Sequence, residues 1–258
     1  MVADAVRAFW CRTPSRPNFG DALTPWMIRR LTGVYPRFAR PDDPVPKYLV
    51  AGSIIAYADH NCTVWGSGIM YRRDVISPHA RFLAVRGLLT RERAIECGAS
   101  CPDVLGDPAL LLPRLYRPAP ADRQGIGLVP HFSDAQRVLG SWRPGGDFRL
   151  IDVQSGVETF IDQITSCELV VSSSLHGLIA SHAYGIPALW VKFRDLPSGD
   201  DSKFADYFAS IGHGQVRPVR VNHDRLRAGD LARAAVPPDI QLDLEPLWES
   251  CPFRGGAT

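Results

Sequence analysis

The chain has 258 residues, 45% hydrophobic and 22% charged. That length suits one large domain or two of modest size, and that composition excludes wholesale disorder. Lys and Arg number 29 against 27 Asp and Glu, a formal net charge of +2, too balanced for a protein that tracks nucleic-acid phosphates. No apolar run approaches the roughly 20 residues that span a bilayer. The segment Met1 to Trp10 carries Asp4 and Arg7 and lacks the apolar stretch of a signal peptide. The cysteines are scattered, and Cys97 and Cys101 have no second pair to complete a zinc site. The chain therefore reads as an intracellular protein with reduced thiols, no metal and no nucleic-acid partner.

Short β-branched or aromatic runs alternate with helical patterns along the chain. Ala5–Trp10 reads as a strand, and Ala22–Leu31 as a helix with Asp21 as its N-cap and Gly33 closing it. Tyr48–Val50, Thr63–Trp65 and Phe82–Val85 are strands, each running into small or polar residues: Ala51-Gly52-Ser53, Gly66-Ser67-Gly68 and Arg86-Gly87. A helix over Leu89–Cys97 follows, closed by Gly98. Pro113–Gln124, with three prolines and several charges, reads as a linker.

The second half repeats the pattern. Ile126–Val129 leads into Pro130-His131, and Phe148–Val153 is a strand followed by a helix over Val157–Cys167. Glu168–Val171 is a buried strand ending in Ser172-Ser173-Ser174, then comes a helix over Leu175–Tyr184 and a strand over Ala188–Phe193. Helical stretches at Ser202–Ile211 and Asp224–Ala234 and a tail around Leu242–Trp248 complete the chain. Strands alternating with helices imply mainly parallel sheets. The fold expected is α/β with two Rossmann-like lobes, residues 1–117 and 118–258, the C-terminal tail packing back, and a cleft between the lobes.

The most informative segment is Glu168–Pro187. An apolar strand ends in three serines, and a helix begins at Leu175 with His176 in its first turn. The unpaired amides and positive dipole end of such a helix favour an anion. The same serines also fit a simple N-cap cluster, with His176 a satisfied polar residue.

This segment resembles the C-terminal signature of the polysaccharide pyruvyl transferase family. Other stretches match in the same order: Asn18-Phe19-Gly20-Asp21, Gly66-Ser67-Gly68, Val85-Arg86-Gly87 with Thr90-Arg91, and Gly106-Asp107-Pro108. The resemblance spans residues 18–210 and is greatest to the xanthan-type ketal pyruvate transferase branch. It implies a fold similar to the glycosyltransferase type B fold, with a first lobe on the acceptor side and a second on the donor side. It also implies phosphoenolpyruvate as co-substrate, no other cofactor, and a lipid-linked or polymeric glycan acceptor with a hexose diol. A 4,6-ketal on a terminal sugar and released phosphate would be the products. Such chemistry needs cations for phosphate and carboxylate, an acid for C3 of the enol and a base for the sugar hydroxyls.

Under this resemblance Arg86 contacts the donor, its planar fork suiting carboxylate or phosphate. His176 contacts the donor and transfers a proton, with Ser173 and Ser174 beside it. Many family members carry arginine where this chain has Ser174, so Lys203 and His131 are expected to replace that cation. Asp21 matches the aspartate of the family's Asn-x-Gly-Asp motif and orients or deprotonates an acceptor hydroxyl, with Asn18 and Ser67 as further acceptor contacts. Helix capping is an equal reading of Asp21, and a tight turn an equal reading of Gly66-Ser67-Gly68. Asp107 reads as a turn residue, His182 as structural, and Trp26, Trp65 and Trp190 as core residues. Two rivals share the architecture: a nucleotide-sugar glycosyltransferase and a non-catalytic glycan-binding protein. A cytosolic donor and lipid-linked acceptors imply a cytoplasmic protein, peripheral at the inner face of the membrane, with Trp26, Arg29 and Arg30 on one helix face as the contact.

Overall fold

The computed structural model describes residues 6–12, 16–141, 148–196, 198–221 and 228–254. In chain order its first elements are β1 (Arg7–Phe9), α1 (Phe19–Thr32), β2 (Arg37–Phe38), β3 (Lys47–Leu49), β4 (Cys62–Trp65), β5 (Arg81–Ala84) and α2 (Leu88–Glu96). Next come α3 (Leu112–Leu115), β6 (Ile126–Val129), α4 (Phe132–Ser141), β7 (Phe148–Leu150), α5 (Val157–Thr165), β8 (Leu169–Ser172), α6 (Leu175–Ala183) and β9 (Ala188–Lys192). The last are α7 (Ser202–Ser210), β10 (Val219–Arg220), α8 (Ala228–Ala234) and α9 (Glu245–Glu249). Residue 5 of the first expected strand and residues 224–227 of the expected helix at 224–234 lie outside the described residues.

The chain divides into two compact units. One comprises residues 1–111, 198–215 and 241–258; the other comprises 112–197 and 216–240. A single cut near residue 117 thus leaves two later segments, which carry α7 and α9, in the first unit. Each has a physical anchor there. Asp206 of α7 pairs with Arg86. Near the C-terminus, the Trp65 indole donates to the Leu247 carbonyl at 3.0 Å, and Phe253 packs edge-on against Tyr48 and Trp65.

Each unit is built on a parallel sheet. The first has strand order β2-β1-β3-β4-β5 and the second β10-β9-β8-β6-β7, all neighbours parallel. This agrees with the α/β reading from the alternating pattern. The central strands β6 and β8 are buried throughout, as expected where helices cover both sheet faces. Leu49, Val64, Phe82 and Val85 anchor the first core, and Leu128, Val171, Leu189 and Val191 the second. The edge strands β2 and β10 are two residues long, too short for a periodic signal in the sequence.

Among the described residues no helix is long and apolar enough to cross a membrane. Burial pushes the Cys11, Cys62 and Cys101 thiols up to about 11, away from thiolate chemistry at neutral pH.

Candidate active site

In the first unit the Asn-x-Gly-Asp motif starts α1. Asn18, not Asp21, is the N-cap: its Oδ1 accepts from the Asp21 amide at 3.1 Å, and its Nδ2 donates to Asp21 Oδ2 at 2.6 Å. Asp21 therefore sits inside the first turn, where a carboxylate is favoured by the helix dipole. The reciprocal bonds hold both side chains in place at the helix entrance, half-buried.

Arg86 follows β5 and differs from the expected open fork. Its side chain is fully buried and turned inward. Nε donates to Asp206 Oδ2 at 2.9 Å, Nη1 to Ser53 Oγ at 2.7 Å, and Nη2 to the Ile69 carbonyl at 2.6 Å. Gly68 makes room for it, because a Cβ there would fall on the guanidinium. Gly87 does the same for Asp206, whose carbonyl and Oδ1 occupy the space a Cβ would need. Ser67 is also fully buried and donates its hydroxyl to the Gly52 carbonyl at 2.9 Å, so that hydroxyl holds the loop together rather than facing an acceptor. Asp107 accepts from the Ala109 amide at 3.0 Å, consistent with a turn role.

Lys203, in the first turn of α7, is 7% exposed. Its ammonium lies 5.4 Å from the Phe204 ring centre. Burial, with Arg86 nearby, pulls its pKa down to about 8, against the opposing pull of Asp201 and Asp21. A desolvated lysine with named charged neighbours is the kind of group that active sites tune. The first unit thus gathers Asn18, Asp21, Arg86 and Lys203.

In the second unit the relevant residues follow the carboxyl ends of β6, β8 and β9, where open parallel sheets place ligands. The Ser172 hydroxyl reaches the Val129 carbonyl at 3.1 Å and the Ser174 carbonyl at 2.9 Å, and accepts from the Ser174 amide at 3.0 Å, tying the turn to β6. Ser173 Oγ accepts from the His131 amide at 2.8 Å. Ser174 is the N-cap residue of α6, yet its side chain makes no capping bond. His176 is the second residue of α6 and is partly buried.

From Ser173 a chain of hydrogen bonds runs on. His131 Nδ1 pairs with Ser133 Oγ at 2.8 Å, and the Ser133 carbonyl accepts from Arg194 Nη2 at 3.0 Å. Arg194 Nε donates to the buried Asp134 at 2.7 Å. The second unit thus gathers Ser173, Ser174, His131 and His176, with Arg194 joined to them through Ser133.

Sequence reasoning missed Asp206, Ser53 and Asp134 as parts of these clusters, and met Thr90 only as part of the Thr90-Arg91 motif. A signal existed for Asp206: α7 is buried along most of its length, and a carboxylate on such a helix needs a partner. Nothing local marks Ser53 or Asp134.

A family profile of polysaccharide pyruvyl transferases matches residues 18–192. An uncharacterized protein of Acanthamoeba polyphaga mimivirus is 34% identical over 179 residues, 65% of this chain and 61% of that protein. The succinoglycan biosynthesis protein ExoV of Rhizobium meliloti (strain 1021) is 28% identical over 223 residues, 79% of this chain and 64% of ExoV. The chain therefore spans less than two thirds of the length of these two relatives. A functional uncharacterized protein of Klebsiella pneumoniae subsp. pneumoniae NTUH-K2044 has a solved structure with a TM-score of 0.48 at 12% identity, covering 84% of this chain and 93% of that one.

Proposed function

Because the chain belongs to the polysaccharide pyruvyl transferase family, we propose that it moves pyruvate from phosphoenolpyruvate onto two hydroxyls of a hexose in a lipid-linked or polymeric glycan. C3 of the enol takes a proton, C2 becomes electrophilic, and a sugar hydroxyl attacks it. Phosphate leaves, and a second hydroxyl closes the cyclic ketal, the 4,6-ketal of a terminal sugar. The observation that carries this reading is the linked cluster at the carboxyl edge of the second sheet. Ser173 is bonded to His131, and His131 leads through Ser133 to Arg194, beside the start of α6. Serine hydroxyls, first-turn amides and a guanidinium together suit a phosphate or carboxylate.

In this reading Ser173, Ser174, His131 and Arg194 engage the donor, and His176 transfers the proton to C3. Lys203 contributes a second cation. Asp21, held by Asn18, orients or deprotonates the acceptor hydroxyl. Arg86 acts from within: its fork is committed to Asp206, Ser53 and Ile69, and it sets the charge around Lys203. The reaction needs no metal or redox group, since phosphate is already a good leaving group once C3 is protonated.

The test is incubation with phosphoenolpyruvate and a panel of glycans ending in hexoses with free 4- and 6-hydroxyls, read by phosphate release and acceptor mass. The expected product gains one pyruvate and loses one water. Acceptor-dependent consumption of a sugar nucleotide, with phosphoenolpyruvate untouched, would instead establish a glycosyltransferase. Saturable glycan binding without turnover of either donor would establish a non-catalytic relative.

A further inference from the structure

Asp206 has no counterpart among the residues the sequence singled out, yet three hydrogen bonds hold its buried carboxylate in the first unit. It is fully buried on α7. Its oxygens receive bonds from two separate segments: Arg86 Nε at 2.9 Å and Thr90 Oγ1 at 2.6 Å on Oδ2, and the Thr90 amide at 2.9 Å on Oδ1. Thr90 lies in the first turn of α2, so the carboxylate also meets that helix's positive end. Gly87, with no side chain, lets α7 approach this closely. Lys203 stands three residues earlier on α7, on the same side of the helix.

Holding α7 against α2 does not by itself call for charge. Well-packed apolar residues often replace a buried ion pair with no loss of stability. What an ion pair adds is a fixed position and a fixed local charge. We infer that Asp206 is a positioning residue: from α7 it holds Arg86 and the first turn of α2, and so fixes both the place of Lys203 and the charge that Lys203 faces.

The charged groups that act on Lys203 come from several elements. Arg86 follows β5, Asp21 lies on α1 and Asp201 precedes α7, while Asp206, on α7 itself, pairs with Arg86; Cys11 in turn faces Asp21. With Asp206 neutral, the Arg86 charge would act on the Lys203 amine without its counter-ion. The amine would then release its proton at lower pH. With both Arg86 and Asp206 neutral, burial would still lower the Lys203 pKa but the repulsion from Arg86 would be gone, and with Asp21 and Asp201 unopposed by it the amine would hold its proton to higher pH than in wild type.

The chain has three lysines, Lys47, Lys192 and Lys203, so NMR of protein labelled with 13C at lysine Cε resolves each titration, assigned by lysine-to-arginine variants. The wild-type Lys203 midpoint is expected near 8. Asp206→Asn is expected to lower it by about one unit, and Arg86→Gln with Asp206→Asn to raise it above wild type. The double variant buries no charge at this pair, so it keeps the test open if Asp206→Asn alone fails to fold. A Lys203 midpoint that moves in neither variant, or falls in the double variant, would overturn the inference. A kinetic arm rests on the donor reading of Lys203. In Asp206→Asn the KM for phosphoenolpyruvate is expected to rise while kcat changes little, and lowering the pH should restore it by recharging Lys203. A merely structural defect would not respond to pH in this way. If the midpoints move as expected but phosphoenolpyruvate is not a substrate, the positioning role stands and the pyruvyl-transfer reading falls.

Discussion

Replacing Arg86 by methionine removes three hydrogen bonds and one buried positive charge, and leaves Asp206 behind. From the sequence alone, loss of Arg86 is expected to cost activity heavily without unfolding the protein. Its complete burial changes that expectation. Breaking a buried ion pair by removing one partner typically costs about 3–5 kcal/mol, because the other charge is left uncompensated. Asp206 would keep its two bonds from Thr90, which places the predicted loss at the lower end, about 3 kcal/mol. With a urea m-value of about 2 kcal/mol/M, the midpoint should fall by about 1.5 M. The loss should also depend on pH. An unpaired buried carboxyl has its pKa raised above the unfolded value. The deficit should therefore be full above the folded pKa and shrink as pH falls toward the unfolded value near 4. Urea unfolding at pH 5 and pH 7, followed by tryptophan fluorescence, reads both effects; Trp65 lies fully buried in the same unit. A midpoint equal to wild type at both pH values, or a loss that is identical at the two, would refute this account of Arg86.

The remaining predictions concern chemistry and surface. Lys203→Ala is expected to raise the donor KM strongly with little change in the acceptor KM, while Lys203→Arg keeps part of the function; equal donor affinity in wild type and Lys203→Ala would remove this lysine from the donor site. Because the Lys203 pKa is pulled down to about 8, its charge is lost as pH rises through that value, so wild-type donor affinity should weaken between pH 7 and 9 and that trend should vanish in Lys203→Arg. The same depression means that the unfolded chain holds the proton to higher pH, so this group's contribution to stability rises between about pH 8 and 10.5. His176→Ala should lower turnover by about 10²–10⁴-fold with an unchanged unfolding midpoint, and near-full turnover with an unaltered pH profile would transfer the acid role to another group. Arg29 and Arg30 are exposed on α1, with the Arg30 guanidinium 5.4 Å from the Trp26 ring centre; charge reversal at both should weaken flotation with anionic vesicles, and unchanged flotation would exclude this face as a membrane contact.

Much of the architecture was legible because it is local. Short apolar runs such as Leu169–Ser172 and Ala188–Lys192, punctuated by glycine and proline and separated by helical periodicity, announce buried parallel strands wherever they occur. The start of α6 was legible for the same reason, since an apolar strand, three serines and a helix lie in one continuous stretch. The cap of α1 was partly legible: the motif marks the helix entrance, but only geometry shows that Asn18 caps and Asp21 answers it from inside the first turn. The edge strands β2 and β10 were not, because two residues carry no period. Nor was the return of α7 to the first unit, which, like the packing back of the tail that carries α9, depends on contacts between segments far apart in the chain. Arg86 and Asp206 stand 120 residues apart, and Trp65 and Leu247 stand 182 apart. An arginine after a strand looks the same in sequence whether its fork faces a ligand or the protein interior. The tertiary structure decided between them, because only the fold brings a buried carboxylate from α7 to meet that charge, and burying the charge without one would be too unfavourable to survive.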